Sequence, residues 1–453
     1  MQKRKLRIKL ISPRMSLRPM DSEFKRLMSP SLSLVVVASL TPAPHEVEIH
    51  DENLRNIDYS DSPDLVGITI NVDTFERAKK ISENYRQKGA KVVFGGIHAS
   101  ANPDEMLEHC DTVLIGEAEE VWVQLLDDLC QDKLKRKYTN KRVTDLANYP
   151  LPDWSYINKQ NYLYNNIIIT SRGCPFKCDF CYNSSDYVCS HYRNRPIPQV
   201  VDEIARHETK QIMIIDDNFI GNIEWTREFI RQVKHMGLTW HAAVSADLVH
   251  HEDLIDEFAV SGCRSLFIGF ESINQNSISS VHKRQNKIEK YEELISMLHE
   301  RGIMINASLV FGFDNDSKEV FPRTLDWLVR NKIETMTAHI LTPYPGTKLY
   351  SKLLRENRIV DFDTRNYNTS NVVFEPKLMT REELRKGYLW LYKKFYSFGN
   401  IMRRIPENKS TRASYFMFNF IYRKFGKATS LLGKLGLMHK IGQLGRKIAY
   451  GID

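Results

Sequence analysis

Long apolar runs are missing from this sequence. No stretch approaches the roughly 20 consecutive apolar residues of a membrane-spanning helix, and the opening Met1-Gln2-Lys3-Arg4-Lys5-Leu6-Arg7 runs into an alternating strand pattern and not into a signal-peptide core. The expectation is a cytoplasmic protein. Cysteine is scarce as well: seven in 453 residues are too few to scaffold such a chain through disulfides, which points to domains with their own cores in a reducing compartment. Charge of one sign is missing from the first 400 residues. The net charge is +8, but residues 401–453 hold 11 Lys/Arg against Glu407 and Asp453, an excess of +9 that leaves −1 elsewhere. This argues against chain-wide nucleic-acid binding and confines any electrostatic partner to the tail. No internal repeat or low-complexity segment is present.

The few cysteines are clustered where they matter. Cys174, Cys178 and Cys181 stand at C-x3-C-x2-C, a set of three thiolates that can hold an iron–sulfur cluster and leave one iron without a protein ligand. A cluster used only for electron transfer takes four cysteines, and the next, Cys189, lies outside the usual spacing. A zinc site would also want a fourth ligand, which Cys189 or His191 could supply. Ordinary buried thiols are the remaining alternative.

Along residues 5–140, short apolar runs alternate with amphipathic stretches. Strands are expected at Leu6–Ile11, Val47–Ile49, Leu65–Ile70, Val92–Phe94 and Thr112–Ile115, with helices at Phe24–Ser39, Thr74–Lys88, Pro103–Glu108 and Glu119–Leu134. This pattern predicts a parallel doubly wound sheet whose ligands bind beyond the carboxyl ends of the strands. A proline-punctuated linker follows, around Tyr149-Pro150-Leu151-Pro152. A second series of strands runs through Asn166–Thr170, Gln211–Ile215, His241–Ser245, Ser265–Phe270, Asn306–Phe311 and Thr337–Leu341. Six are fewer than a closed eight-unit barrel needs. Beyond residue 352 the pattern is helical, and Thr380 followed by Glu383 predicts a capping box opening a helix over Thr380–Phe398.

The triplet, with Phe180 ahead of its last cysteine and Ser171-Arg172-Gly173 ahead of its first, resembles the radical S-adenosylmethionine (SAM) superfamily. With its flanking regions the chain is similar to radical SAM enzymes carrying an N-terminal cobalamin-binding domain, in the branch that includes hopanoid C-2 methylases. The resemblance implies an α/β protein. Its parts are an N-terminal doubly wound, cobalamin-binding-like parallel sheet (1–140), a linker (141–160), a central partial (β/α)6 radical SAM barrel (161–350), and a helical C-terminal region with a basic tail (351–453).

The same resemblance implies roles for particular residues. Cys174, Cys178 and Cys181 hold a [4Fe–4S] cluster whose open iron is chelated by SAM, and Phe180 packs near the adenine. Asp216, Asp217 and Asn218 occupy the place that contacts the SAM amino group, where carboxylates or an amide accept from an ammonium. Ser245, Glu271 and Ser272 fall at later strand ends suited to the ribose and methionine parts, and Gly312 and the Tyr344–Thr347 turn complete the rim. The alternative for any one of them is a helix cap or an ion-pair partner. For cobalamin the candidates are Asn71, Thr74, Gly95, Gly96, His98, Gly116 and Glu117. The Asp-x-His-x-x-Gly motif that supplies a cobalt ligand in many cobalamin domains is absent, so cobalamin is expected without a protein histidine on cobalt. A scaffold domain that binds no cofactor is the alternative.

The function implied is reductive cleavage of SAM to a 5′-deoxyadenosyl radical, used for cobalamin-dependent methylation of an unactivated carbon. The alternatives are a radical SAM cyclase, rearranging or C–C-bond-forming enzyme, and a non-catalytic iron–sulfur or zinc sensor. The expected partners are a small-molecule or lipid substrate and a flavodoxin- or ferredoxin-type electron donor. The aromatic and basic tail reads either as a surface segment meeting anionic lipid or as a helical cap packed on the barrel, with the cap favoured.

Overall fold

The computed structural model describes residues 4–21, 23–140, 145–164, 166–185, 191–207 and 209–420. In chain order the strands are β1 Arg7–Ser12, β2 Glu46–Asp51, β3 Leu65–Thr69, β4 Lys91–Gly95, β5 Thr112–Ile115, β6 Lys137–Thr139, β7 Ile167–Ile168, β8 Ser171–Arg172, β9 Arg193–Asn194, β10 Gln211–Ile214, β11 Thr239–Val244, β12 Cys263–Glu271, β13 Met304–Phe311 and β14 Thr335–Ile340. They form a six-stranded sheet in the order β2-β1-β3-β4-β5-β6, a second in the order β14-β13-β12-β11-β10-β7, and the short β8-β9 ladder. Every pairing in the two large sheets is parallel.

The N-terminal sheet is buried on both faces, with β1 and β3 enclosed at successive positions. In β12 and β13 the residues Leu266, Ile268, Ile305 and Ala307 are fully enclosed against the helices. The aromatic group Phe219, Phe229, Trp240 and Phe258 fills the same layer with centroids 5.0–6.0 Å apart, each ring contributing about 1.5–3 kcal/mol by burial. Ile215 and Phe267 are 41% and 37% exposed; they lie on the opposite face of the same sheet, because successive strand side chains alternate.

Several elements differ from expectation. The helix expected over Phe24–Ser39 is a 3-10 turn, Glu23–Leu27, and a separate helix, Leu32–Leu40; Pro30 interrupts it, having no N–H to donate and disfavouring helix in the residue before it. A short helix, Ile97–Ala101, follows β4 where no helix is expected. Strand β6, charged and at the sheet edge, carried no apolar signal. The capping box at Thr380 is present: Thr380 Oγ1 accepts from Glu383 N at 3.1 Å and Glu383 Oε2 accepts from Thr380 N at 2.9 Å. It opens helix Arg381–Phe395.

The first half of the tail is a packed cap. Arg404 is fully buried, stacked 3.5 Å from the centroid of Phe395, and donates to the carbonyls of Ile333, Glu334 and Phe395 and to Asn419 Oδ1. Tyr415 donates to Ile401 O at 2.6 Å. Residues 421–453, with Tyr422 and Phe425, lie outside the described residues. No helix among the described residues is long and apolar enough to cross a membrane.

Candidate functional site

The cysteine loop leaves β8 through Gly173, whose φ of +79° is the left-handed turn that brings Cys174 round. The loop is clipped to the segment after β12. Asp179 N donates to Val281 O at 3.1 Å, Asp179 Oδ2 meets His282 Nδ1 at 2.8 Å, and Leu349 N donates to Asp179 O at 2.9 Å. All three thiols are free. Burial raises Cys174 to about 11 and Cys181 to about 12, and each thiol lies within reach of a neighbouring cysteine's charge. Deprotonation by a bound metal centre would offset that burial cost. Among the described residues no group of three or more His, Cys, Asp or Glu side chains converges on one metal ion. Three thiols on one loop, with Cys178 bearing on both Cys174 and Cys181, suit a cluster in which each cysteine binds a different iron. Cys189 lies outside the described residues and His191 is exposed.

Beside the thiols stands a residue that sequence reasoning missed. Lys283 is buried and its Nζ bonds Glu271 Oε1 at 2.8 Å. Burial pulls this ammonium down, but Glu271 and Cys178 outweigh it and hold it above the ordinary lysine value. Glu271 reaches Lys283 because the β12–β13 register shifts between Gly269 and Glu271 and Glu271 adopts a φ of +62°. A Cβ on Gly269 would lie 2.7 Å from Glu271 Oε1 and 3.0 Å from Lys283 Nζ, so only glycine leaves room for the pair. Gln285 Nε2 approaches Cys178 Sγ at 3.8 Å.

A cavity of about 620 Å³ joins this loop to the N-terminal sheet. It is lined by Phe180, Cys181, Tyr182 and Asp217 on one side and by Gly95, Gly96, Gly116 and Glu117 on the other. From there it runs down beside Leu34, Gly67, Leu114 and Trp122. Gly96 has a φ of +95°, and a Cβ there would lie 2.9 Å from both Ile70 N and Thr69 Oγ1. A Cβ on Gly67 would lie 2.8 Å from Leu10. A glycine-floored, largely apolar cleft at the carboxyl ends of a parallel sheet, with Asp217, Glu117, Glu119 and Arg172 at its junction with the cysteine loop, suits a large flat cofactor. Tyr182 and Tyr344 stack across its edge, with centroids 5.1 Å apart.

The remaining candidates divide. Asp217 opens into the cavity, where enclosure raises its carboxyl against a hydrogen bond from Asn183. Its neighbour Asp216 points the other way and accepts from Thr170 N at 2.7 Å and Ser171 Oγ at 2.6 Å; burial raises it to about 6. Asn218 and Ser245 are spent on each other, through Nδ2 to Oγ at 3.0 Å and N to Oδ1 at 3.2 Å. Ser272 Oγ caps Asn274 N at 3.1 Å. Gly312, with a φ of +104°, provides space for Leu384, which a Cβ would meet at 2.8 Å. These four hold strand ends and the C-terminal helix in place instead of facing the cavity. On the cobalamin side, Asn71 and Thr74 form a capping box before helix Phe75–Gln87 and do not line the cavity.

His98 is also turned away from it. The ring is fully buried, edge-on to Phe75 at 5.5 Å, with no hydrogen-bond partner for either nitrogen among the described residues. Burial lowers it to about 4, so it is neutral. Cobalamin-loaded protein in the cobalt(II) form is therefore expected to give the same electron paramagnetic resonance (EPR) spectrum in wild type and His98→Ala. A nitrogen splitting present in wild type and lost in the variant would make His98 a ligand.

Known proteins resemble the chain in the same three parts. The radical SAM superfamily profile matches residues 168–328, a B12 binding domain profile residues 29–126, and a domain of unknown function residues 347–435. Bacteriochlorophyllide d C-12(1)-methyltransferase of Chlorobaculum tepidum is 30% identical over 411 residues, covering 88% of this chain and 89% of the relative. Hopanoid C-2 methylase of Rhodopseudomonas palustris is 24% identical, covering 77% and 69%. The radical SAM methyltransferase TsrM of Kitasatospora setae, solved with tryptophan and a SAM analogue, shares the fold with a TM-score of 0.70 at 16% identity, covering 96% and 100%.

Proposed function

This chain belongs to the family of cobalamin-dependent radical SAM methyltransferases, and from that premise we propose that it methylates an unactivated carbon of a largely apolar small molecule, held at the open face of the barrel sheet. The cofactors are a [4Fe–4S] cluster, SAM and cobalamin. When bound, they supply reductive cleavage of SAM to methionine and a 5′-deoxyadenosyl radical, and a methyl group carried on the corrinoid. The observation that carries the reading is the single cavity shared by Cys181 and the glycine loops of the N-terminal sheet, because both cofactors must reach one carbon.

In this reading the division at 1–140, 141–160, 161–350 and 351–453 separates the corrinoid sheet, the linker, the SAM barrel and the cap. Cys174, Cys178 and Cys181 hold the cluster. Asp217 and the Glu271–Lys283 pair orient SAM, Phe180 packs beside it, and Gly95, Gly96 and Gly116 allow the corrinoid to approach the backbone. Tyr182 and Tyr344 help exclude water. Ile215 and Phe267, exposed on the barrel's inner face, with Asn306 opposite Phe267 on the next strand, provide an apolar surface for the substrate. The name of the relative at 30% identity makes a bacteriochlorophyllide the first substrate to test. An external one-electron donor of the flavodoxin or ferredoxin kind completes the cycle.

Anaerobic reconstitution with iron, sulfide and cobalamin, followed by addition of SAM, reductant and substrate, is expected to yield 5′-deoxyadenosine, S-adenosylhomocysteine and methylated product together. Deoxyadenosine without S-adenosylhomocysteine would replace methyl transfer with another radical reaction. The tail separates a lipid from a soluble substrate. Salt-sensitive co-sedimentation with anionic liposomes, lost on truncation after Phe420, supports membrane delivery of substrate. Absence of binding in both forms favours a soluble one.

A further inference from the structure

Where the two large sheets meet, four charged side chains close on one another. Glu117 and Glu119 lie on the loop after β5. Arg172 and Arg193 are directly paired across the β8–β9 ladder, an arrangement in which two like charges repel. Glu117 sits between them: its Oε1 lies 3.3 Å from Arg172 Nη1 and also bonds Arg193 Nη2, while Arg172 Nη2 bonds Glu119. Side-chain exposure in the group runs from 7% to 23%. Tyr149, from the linker, stacks beneath Arg172 at 5.3 Å. Glu117, Glu119 and Arg172 also line the cavity, next to Gly116 and Gly173. Glu117 Oε2 is buried there with no hydrogen-bond partner among the described residues.

We infer that this ion-pair cluster is the spacer between the two cofactors. Arg172 is two residues from Cys174, and Glu117 follows the glycine that faces the corrinoid side of the cavity, so the pairs tie the cluster loop to the corrinoid loop directly. The two loops belong to different sheets, and among the described residues no strand pairing joins those sheets. Partly buried, hydrogen-bonded charge pairs hold such a junction in one register, since a shift would leave a charge unpaired. Arg172, Arg193, Glu117 and Glu119 are positioning residues: they fix the distance at which the substrate radical meets the methyl group. The inference rests on the cofactor assignment above.

The test uses full-length, fully reconstituted Arg172→Gln and Glu119→Gln proteins. Both are expected to hold wild-type iron and corrinoid. In the reduced proteins the magnetic interaction between cobalt(II) and the cluster, read by EPR, should weaken. Methyl transfer should fall about 100-fold in Arg172→Gln while SAM cleavage stays within about twofold, the penalty expected of misplacement by about 1 Å. Glu119→Gln, which keeps an acceptor for Arg172, should show a smaller loss of the same kind and carries the test if Arg172→Gln does not fold. An unchanged EPR interaction and unchanged ratio of deoxyadenosine to methylated product, with both cofactors bound, would overturn the inference. So would loss of corrinoid alone in both variants, which would make the cluster a binding contact. Failure of the wild type to bind corrinoid would instead overturn the cofactor assignment.

Discussion

Cys178→Ala protein, reconstituted anaerobically, is expected to lose the [4Fe–4S] absorbance and with it all detectable 5′-deoxyadenosine formation. The same result is expected for Cys174→Ala and Cys181→Ala, because in the proposed assignment each thiol is one of three protein ligands and the fourth iron is left for SAM. The effect is all-or-none because a cubane held by two thiolates has two open irons. Cys110 and Cys263 are fully buried in the two cores, and burial holds Cys110 at about 12 and Cys263 well above the usual thiol value. Neither takes part in the triplet, and conservative substitution of either should leave iron content unchanged. Wild-type iron content in Cys178→Ala would remove the cluster assignment and, with it, the radical chemistry.

Lys283→Met should lose about 3–5 kcal/mol of stability, the usual cost of leaving one member of a buried ion pair uncompensated. The pair is nearly closed to solvent, with side-chain exposures of 10% for Lys283 and 9% for Glu271. Adding Glu271→Gln to Lys283→Met should return most of that stability, since it removes the stranded carboxylate. SAM affinity, however, is expected to be weak in both variants, because in the proposed assignment the charged pair that orients SAM is lost while the three cysteines remain. Denaturant titration of the folded protein and a binding isotherm for SAM measure the two effects separately. A double variant as unstable as the single one would show that the loss came from packing around Lys283. Unchanged SAM affinity in the double variant and in Asp217→Ala would take these residues out of the SAM site.

How much of this was legible beforehand depends on how local each signal is. The cysteine spacing, the capping box at Thr380 and the six barrel strands are each set within a short segment of the chain, so sequence alone carried them. The break at Pro30 was legible too, in a residue whose ring forbids helix continuation, though the apolar run around it masked the break. The candidate site was less legible. Asp216 and Asp217 are adjacent and chemically identical, and only the direction of each at the strand end separates the structural carboxylate from the one facing the cavity. His98 stands beside glycines that do line the cavity, yet its ring packs on Phe75.

Three thiols at ligand spacing, with strand patterns before and after them, carried the resemblance to radical SAM enzymes with a cobalamin-binding domain, because ligand number and strand period are properties of short segments. Only the tertiary structure decided which polar residues meet the cofactors and how the two halves are held. Lys283 lies in the charged run His282-Lys283-Arg284, where solvation is the ordinary expectation; folding buries Lys283 against Glu271 and leaves Arg284 exposed. Arg172 and Glu117 are 55 residues apart in the chain and find each other only when the two sheets dock. Such pairings depend on the direction of each side chain and the distance between elements, neither of which composition or periodicity encodes.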